Sequence, residues 1–217
     1  MSTPLSSTDR TQIGRLSDRG RVDRADLHDV LDDGMICHLG IVVDGAPRVI
    51  PTGYGRIGDV LYMHGSTGAR YLRESPSTEI CVTVTHLDGI VLARSLFHHS
   101  LNYRSAIIYG APRVVTDPDE KLAGLRCITE QLAPGQWDVV RGPNTRELAA
   151  TTVLALPLDE ASVKVRQGPP GDEEEDYALD VWAGVVPVRP SFGTPIPDPL
   201  LREGIPVPDH VKSITVG

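Results

Sequence analysis

The sequence contains few cysteines and no long apolar run. Three cysteines, Cys37, Cys81 and Cys127, occur among 217 residues. An odd number of widely spaced cysteines within apolar runs predicts buried, reduced thiols and not a disulfide framework. No stretch approaches the roughly 18 apolar residues that span a membrane, and the first ten residues, MSTPLSSTDR, lack the apolar region of a secretory signal. We therefore expect a soluble, cytoplasmic protein.

The chain also lacks an excess of basic residues. Its formal net charge is −8 and its pI is about 5.3. Without a basic stripe to neutralise a phosphate backbone, nucleic-acid binding is not expected, although a local site for a single phosphate remains open. A Gly-rich dinucleotide fingerprint, which would follow a strand and open a helix, is missing as well. The chain therefore has no dedicated domain for a nicotinamide cofactor, which would have to bind transiently.

Length and composition divide the chain into one domain with an extension at each end. Residues 1–22 are polar and rich in arginine, which predicts an N-terminal arm, and residues 23–167 carry the apolar periodicity of the domain. Residues 168–217 begin with a Pro/Gly break and continue into a proline-rich tail, which favours an extended arm that wraps the domain or a second subunit. The acidic run at 172–176 is expected to be solvated, or to bind an arginine of a second subunit.

Three helices are predicted around the strands. The first begins at Asp23, whose spacing to Asp26 is that of a capping-box variant, and ends near Gly34. A short second helix covers residues 68–74, before a proline. The third begins at Asp117, with a proline at the first helical position and a glutamate at the third.

The remaining apolar segments predict antiparallel strands. Short β-rich runs are joined by Asp44-Gly45, Gly58-Asp59 and Asp88-Gly89, which are typical hairpin turns. Two further runs, at 151–158 and 161–167, bring the count to roughly seven strands. The predicted fold class is therefore mainly β, an antiparallel barrel with flanking helices.

A dense polar cluster at residues 97–105, FHHSLNYRS, lies between two of these strands. It combines imidazole, hydroxyl, amide, phenol and guanidinium groups, and the planar fork of Arg104 suits a phosphate. His98 and His99 are adjacent, so in an extended chain they point to opposite faces. Because no cysteine or carboxylate stands nearby at a ligand spacing, we expect no metal site. The cluster predicts a site for an anionic, hydrogen-bonding ligand.

Several of these features recur together in one known family. The first helix, the Asp44-Gly45 hairpin, the segment HGSTGAR at 64–70 and the run CVTVTHLDGIVLARSLFHHSLNYRSAIIYG resemble the pyridoxamine 5′-phosphate oxidase-like proteins. The likeness is to their flavin-nucleotide-binding branch, related to nitroimidazole-resistance proteins, and covers about residues 10–186. It implies a six-stranded split barrel, a homodimer, and FMN held between the subunits.

The resemblance also assigns residues to the flavin. Ser66 and Arg70, with His64 and Gly65 beside them, would hold the FMN phosphate, although Ala69 stands where related proteins often have serine. The backbone of four strand residues would contact the flavin ring, and one of them has no amide to donate; these are Val49, Ile50, Pro51 and Thr52. A second clamp would comprise Asn102, Tyr103, Arg104 and Ser105, and His98 or His99 would donate a proton near the flavin or the substrate.

Three functions remain open at this point. The first is an FMN-dependent oxidoreductase that transfers hydride between the flavin and a small-molecule substrate. The second is a flavin-binding or carrier protein without turnover. The third is a split barrel that binds haem or deazaflavin instead. The sequence does not identify the substrate.

Overall fold

The computed structural model describes residues 3–69, 72 and 78–214. These residues contain ten β-strands and four α-helices, and none of the described helices is both long and apolar enough to span a membrane. The helices are α1 (Arg24–Asp32), α2 (Pro118–Leu132), α3 (Thr145–Ala149) and α4 (Asp209–Ile214). The strands are β1 (Gly20–Arg21), β2 (Ile36–Val43), β3 (Ala46–Ile57), β4 (Val60–Ser66), β5 (Ile80–Leu92), β6 (Ser100–Gly110), β7 (Arg113–Val114), β8 (Thr151–Pro157), β9 (Glu160–Arg166) and β10 (Gly184–Pro187).

The described residues form two compact units. The first comprises Met1–Pro51, Ile80–Gly110 and Leu158–Arg189, and the second comprises Thr52–Glu79, Ala111–Pro157 and Pro190–Gly217. Strand β3 belongs to the first unit up to Pro51 and to the second from Thr52.

The first unit is an antiparallel sheet with the strand order β1-β9-β6-β5-β2, and β10 pairs with the last residues of β5. Strands β5, β6 and β9 alternate between buried and more accessible residues, as expected for a sheet with one face in a core. Helix α1 covers that core and buries Leu27, Val30 and Leu31 against it.

The second unit has the order β3-β4-β8-β7, also antiparallel. Helix α2 packs on β4 and β8, where Tyr62, Ile128 and Val153 form part of a buried cluster. Two glycines allow the close approach, since a Cβ on Gly55 would lie 2.6 Å from the carbonyl carbon of Cys127 and one on Gly124 would lie 2.9 Å from the Tyr62 ring.

Two of the hairpin predictions are confirmed and the third is wrong. Asp44 and Gly45 both have positive φ, 53° and 74°, as a two-residue hairpin requires, and Gly58 turns the chain between β3 and β4. Asp88-Gly89 makes no turn, because β5 continues through it with a bulge between Leu87 and Gly89. A Cβ on Gly89 would lie 2.9 Å from Val185 of β10, so the absence of a side chain at Gly89 allows β5 and β10 to lie close together.

The predicted fold class is confirmed, but the strand count of six to seven is wrong. Seven of the ten described strands have seven or more residues, and the other three, β1, β7 and β10, have two to four. Such short segments carry no alternation long enough to reveal them in the sequence.

The helix starts follow the sequence closely. Asp117 caps α2 with a side-chain oxygen that accepts from Glu120 N at 2.8 Å, as predicted. Asp23 precedes α1 as predicted, but its side chain makes no cap hydrogen bond, so the capping-box prediction is wrong. Most of the predicted helix at 68–74 lies outside the described residues.

Candidate functional site

The polar cluster at 97–105 occupies a 3-10 turn (Leu96–His98) and the first half of β6. Strand alternation separates its members. Asn102 is 8% exposed and lies on the buried side of the strand, whereas Tyr103 and Ser105 occupy the alternate positions. The predicted second clamp is therefore divided between the two faces of one sheet.

Arg104 is bound to carboxylates of its own chain. Its Nε and Nη2 donate to the two oxygens of Asp88, each at 3.1 Å, and its Nη1 donates to Asp33. These bonds raise the pKa of Arg104 above its ordinary value, the Asp88 bonds most. The Arg104 guanidinium, which the sequence assigns to a phosphate, is thus occupied by hydrogen bonds to two aspartates. A phosphate could bind it only by displacing one of these carboxylates.

Asn102 meets an arginine that the sequence analysis did not single out. Its Oδ1 accepts from Arg166 Nη1, and its Nδ2 donates to the carbonyl of Gly168 at 3.1 Å. Arg166 also donates to Gly168 O and Pro169 O, so its described partners are neutral oxygens. Desolvation lowers the pKa of Arg166. Asn102 and Arg166 together fix the chain where it leaves β9.

The two adjacent histidines have different partners. His98 Nε2 lies 3.4 Å from a carboxylate oxygen of Glu173, and its ring meets Phe97 edge to face. His99 Nδ1 accepts the backbone N–H of Ala93 at 3.2 Å. Because a backbone amide can only donate, this bond requires the neutral imidazole with its proton on Nε2. His99 therefore presents an N–H donor.

The loop before the histidines is fixed by the acidic segment. Asp172 has a fully buried side chain that accepts from Arg94 N at 2.9 Å and from Arg94 Nη1 at 3.0 Å. The Arg94 guanidinium also stacks over the Tyr177 ring, 4.8 Å from its centre. The prediction that the run 172–176 is solvated is therefore wrong for Asp172, because it neutralises an arginine nearly 80 positions earlier in the chain.

The residues predicted to contact the flavin ring lie in the middle of β3. Val49 is 68% exposed and Pro51 is exposed, whereas Ile50 is half-buried. These three belong to the first unit, and Thr52, whose hydroxyl bonds to Gly53 O at 3.3 Å, belongs to the second. An accessible strand surface of this kind can present its backbone to a flat ligand.

The predicted phosphate clamp lies at the end of β4, in the second unit. Ser66 Oγ accepts from Gly68 N at 3.2 Å, and Ser66 O accepts from Ala69 N at 2.9 Å, which makes a tight turn. His64 precedes it on the strand, and partial removal of its ring from water lowers the His64 pKa. Arg70, the charged member of the clamp, lies outside the described residues.

Strand pairing adds hydroxyls that the sequence analysis missed. Strand β8 pairs with β4 so that Thr151 stands opposite Ser66 and Thr152 opposite Gly65. The hydroxyl of Thr151 bonds to Glu147 O at 2.9 Å, and Thr67 N bonds to Ala150 O. The register with β8, which is about 85 residues away in the chain, cannot be read from local sequence.

Comparison with known proteins identifies relatives of the whole chain. A family model described as pyridoxamine 5′-phosphate oxidase matches residues 23–165. The solved structure of the flavocytochrome Anf3 from Azotobacter vinelandii is 38% identical, with a TM-score of 0.92, and the match covers 99% of this chain and 100% of that one. The FAD and heme binding protein from Mycobacterium smegmatis is 40% identical, with a TM-score of 0.87, and the match covers 91% of this chain and 97% of that one.

A more distant structure shares the fold. A putative 5-nitroimidazole antibiotic resistance protein from Bacteroides thetaiotaomicron is 22% identical, with a TM-score of 0.56, and the match covers 67% of this chain and 86% of that one. A search of curated proteins gives no match. The resemblance to the pyridoxamine 5′-phosphate oxidase-like proteins that the sequence predicts is confirmed by the family model, and the Bacteroides protein shares the fold.

Proposed function

The chain belongs to the pyridoxamine 5′-phosphate oxidase family, and we propose that it binds a flavin nucleotide as a redox cofactor. The observation that carries this proposal is the pair of relatives at 38% and 40% identity, one a flavocytochrome and the other an FAD and heme binding protein, each matched over at least 91% of this chain. The sequence resemblance implies FMN, whereas the Mycobacterium relative favours FAD.

The described residues fit a flavin at the end of β4. Ser66 offers its hydroxyl there, and Gly65, which has no side chain, leaves the backbone accessible to a ligand. A bound flavin supplies hydride or single-electron transfer. In the first unit, His99 holds an Nε2–H that can donate a hydrogen bond, because Ala93 N donates to its Nδ1. The flavin would make this chain an oxidoreductase for a small-molecule substrate.

The spectrum of the purified protein tests the proposal. We expect a yellow protein whose oxidised-flavin absorbance is released by heat, and mass spectrometry of the released compound distinguishes FAD from FMN. Reduction with NADH or NADPH, followed by reoxidation with a quinone or a nitroaromatic compound, separates an enzyme from a carrier. A colourless protein that takes up neither FAD nor FMN contradicts flavin binding. Electron transfer no faster than that of free flavin contradicts catalysis.

A haem is the second candidate, because both relatives are described as proteins that carry one. A haem iron is commonly held by a neutral histidine. The rings of His64 and His38 have no hydrogen-bond partner among the described residues, and the lowered pKa of His64 keeps that ring neutral. We therefore propose His64 as the axial ligand. His64→Ala should abolish Soret absorbance, and His38→Ala, the matched control, should retain it. Equal Soret bands in both variants contradict this assignment.

A homodimer is part of the proposal. Leu96 and Phe97 stand at the edge of the polar cluster and are each 89% exposed, which is costly for apolar side chains in a monomer. We propose that a second copy covers them, and the family resemblance implies that the flavin lies between the two subunits. Sedimentation equilibrium of the full chain should give twice the monomer mass, and Leu96→Ser/Phe97→Ser should shift it toward monomer. A monomeric wild type that retains flavin contradicts the dimer.

A further inference from the structure

A cleft of about 270 Å³ lies in the first unit between the N-terminal segment and the outer face of strands β6 and β9. Its floor is polar, since Ser105, Ser162 and Lys164 stand on the face of the sheet that points away from the core. Its wall is the segment from Arg10 to Arg15. The side chains that line it therefore come from three separate parts of the sequence.

The wall is anchored at both ends. Toward its start, Thr8 and Arg10 donate to the carboxylate of Glu160, and the Arg10 guanidinium lies 5.0 Å from the centre of the Tyr109 ring. At its far end, Lys164 Nζ donates to the carbonyl of Arg15 at 3.0 Å. These contacts at both ends hold the segment from Arg10 to Arg15 in place beside the sheet.

The charge of the cleft is opposite to that of the protein. Its lining includes Arg10, Arg15 and Lys164 and no aspartate or glutamate, whereas the whole chain carries a net charge of −8. Glu160 neutralises Arg10, but no carboxylate of the described residues forms an ion pair with Arg15 or Lys164. Two positive charges remain, which match a phosphate dianion.

Another cleft of the first unit, of about 410 Å³, shows the contrast. Its charged lining comprises Arg21, Arg104, which is itself paired with carboxylates, and four aspartates of the α1 region; the aspartates are Asp26, Asp29, Asp32 and Asp33. An anion would be repelled there and attracted to the basic cleft.

The hydroxyls of the basic cleft complete the donor set. Ser105 Oγ makes one long contact, 3.4 Å to Lys164 O, and so retains capacity for a ligand. Tyr109, which also lines the cleft, has a protonated hydroxyl at neutral pH that can donate a hydrogen bond. Hydroxyls beside two cations are the groups that hold a phosphate through charge-assisted hydrogen bonds.

We propose that this cleft binds the phosphoryl group of a small phosphorylated ligand through Lys164, Arg15 and Ser105. The site stands on contacts of the N-terminal segment with β6 and β9 and goes beyond the proposed flavin function. The phosphoryl group has two possible sources, a flavin nucleotide or a separate phosphorylated small molecule.

Calorimetric titration of the full-length protein, stripped of bound small molecules, tests the site with inorganic phosphate and pyrophosphate as probes. We expect saturable binding that weakens with added salt. Lys164→Gln and Arg15→Gln should each raise the Kd at least about tenfold, the scale of one charge-assisted hydrogen bond. Ser105→Ala should raise it by a smaller factor. Arg189→Gln removes one positive charge from an exposed residue outside the cleft and should leave the Kd unchanged.

The same titration on flavin-loaded protein identifies the source. If bound flavin blocks pyrophosphate and Lys164→Gln lowers flavin content, the site holds the flavin's own phosphate. If pyrophosphate binds equally to both forms, the site serves a separate phosphorylated ligand. Absence of saturable binding, or an unchanged Kd in both folded cation variants, overturns the proposal. It is also overturned if Lys164→Gln alters the oligomeric state and leaves the Kd unchanged, since the cleft would then be a protein interface. The titrations of the stripped protein with phosphate and pyrophosphate do not require that the protein bind flavin, so they test the cleft even if the proposed flavin function fails.

Discussion

Arg104 and Asp88 form a two-bonded ion pair across neighbouring strands β6 and β5. Nε and Nη2 of the arginine each donate at 3.1 Å to a different oxygen of the carboxylate. Both side chains are less than one third exposed, and the bulge between Leu87 and Gly89 lies at this position of β5. The geometry gives Arg104 a structural partner at the place where the sequence predicts a phosphate ligand.

Arg104→Gln should therefore destabilise the fold without loss of cofactor. Loss of two charge-assisted hydrogen bonds in a partly exposed pair should lower the free energy of unfolding by about 1–2 kcal/mol, measured by urea denaturation. Flavin content should stay at the wild-type level. Arg141→Gln, which breaks the exposed pair with Glu147, is the control and should leave the urea midpoint unchanged. Loss of flavin with unchanged stability would place Arg104 at the phosphate instead.

Asp172→Asn should weaken the loop around Arg94 and reduce the acid sensitivity of the fold. Burial alone would raise the pKa of Asp172, but the bonds from Arg94 outweigh it and leave the pKa below its ordinary value. A lowered pKa in the folded state contributes stability above the unfolded pKa of about 3.9, and this stability is lost as pH falls through the lower folded value.

Urea denaturation between pH 7 and pH 3 measures this contribution. The wild type should lose more unfolding free energy over that range than Asp172→Asn does. Asp180→Asn is the control, because Asp180 is exposed and forms no ion pair with an arginine among the described residues. Its curve should follow that of the wild type. Parallel curves for wild type and Asp172→Asn would contradict the expected role of Asp172.

Gly55→Ala should be strongly destabilising. A Cβ at this position would lie 2.6 Å from the backbone carbon of Cys127 in α2, closer than atoms can approach, so the helix or the strand must move. We expect a loss of at least about 2 kcal/mol of unfolding free energy, the scale of overpacking in a dense core. Gly142→Ala adds the same atom where no neighbour lies within 4 Å and should have little effect. Equal unfolding midpoints for the two variants would show that α2 can shift away from the added Cβ without loss of stability.

The sequence predicts those features that depend on neighbouring residues. The Asp117 cap, the Asp44-Gly45 turn and six of the seven longer strands follow from local conformational preference and alternation. The same signal predicts a turn at Asp88-Gly89, yet β5 is continuous there, and Val185, almost 100 residues further along the chain, packs against Gly89.

Partners within the site are set by strand order, which the local sequence does not contain. Alternation alone implies that Arg104 and Ser105 point to opposite faces. The pairing of β6 with β5 and β9, however, determines that Arg104 meets Asp88 and that Ser105 meets Lys164. No local sequence motif marks Lys164 or Arg166. The part of Lys164 in the basic cleft and the bond of Arg166 to Asn102 become visible only in the assembled sheet.

Alkaline pH should destabilise the protein through two thiols, those of the buried Cys37 and the partly buried Cys127. Burial raises the pKa of Cys37 to about 12 and that of Cys127 to about 11. The unfolded chain releases these protons near pH 8.5 while the folded chain retains them, so the unfolding free energy falls as pH rises from about 8.5 toward 11. Each thiol contributes up to about 1.4 kcal/mol per pH unit within its window. Cys37→Ala should show a shallower decline than wild type in urea denaturation from pH 8.5 to 11, whereas an identical slope would show that Cys37 ionises freely in the folded state.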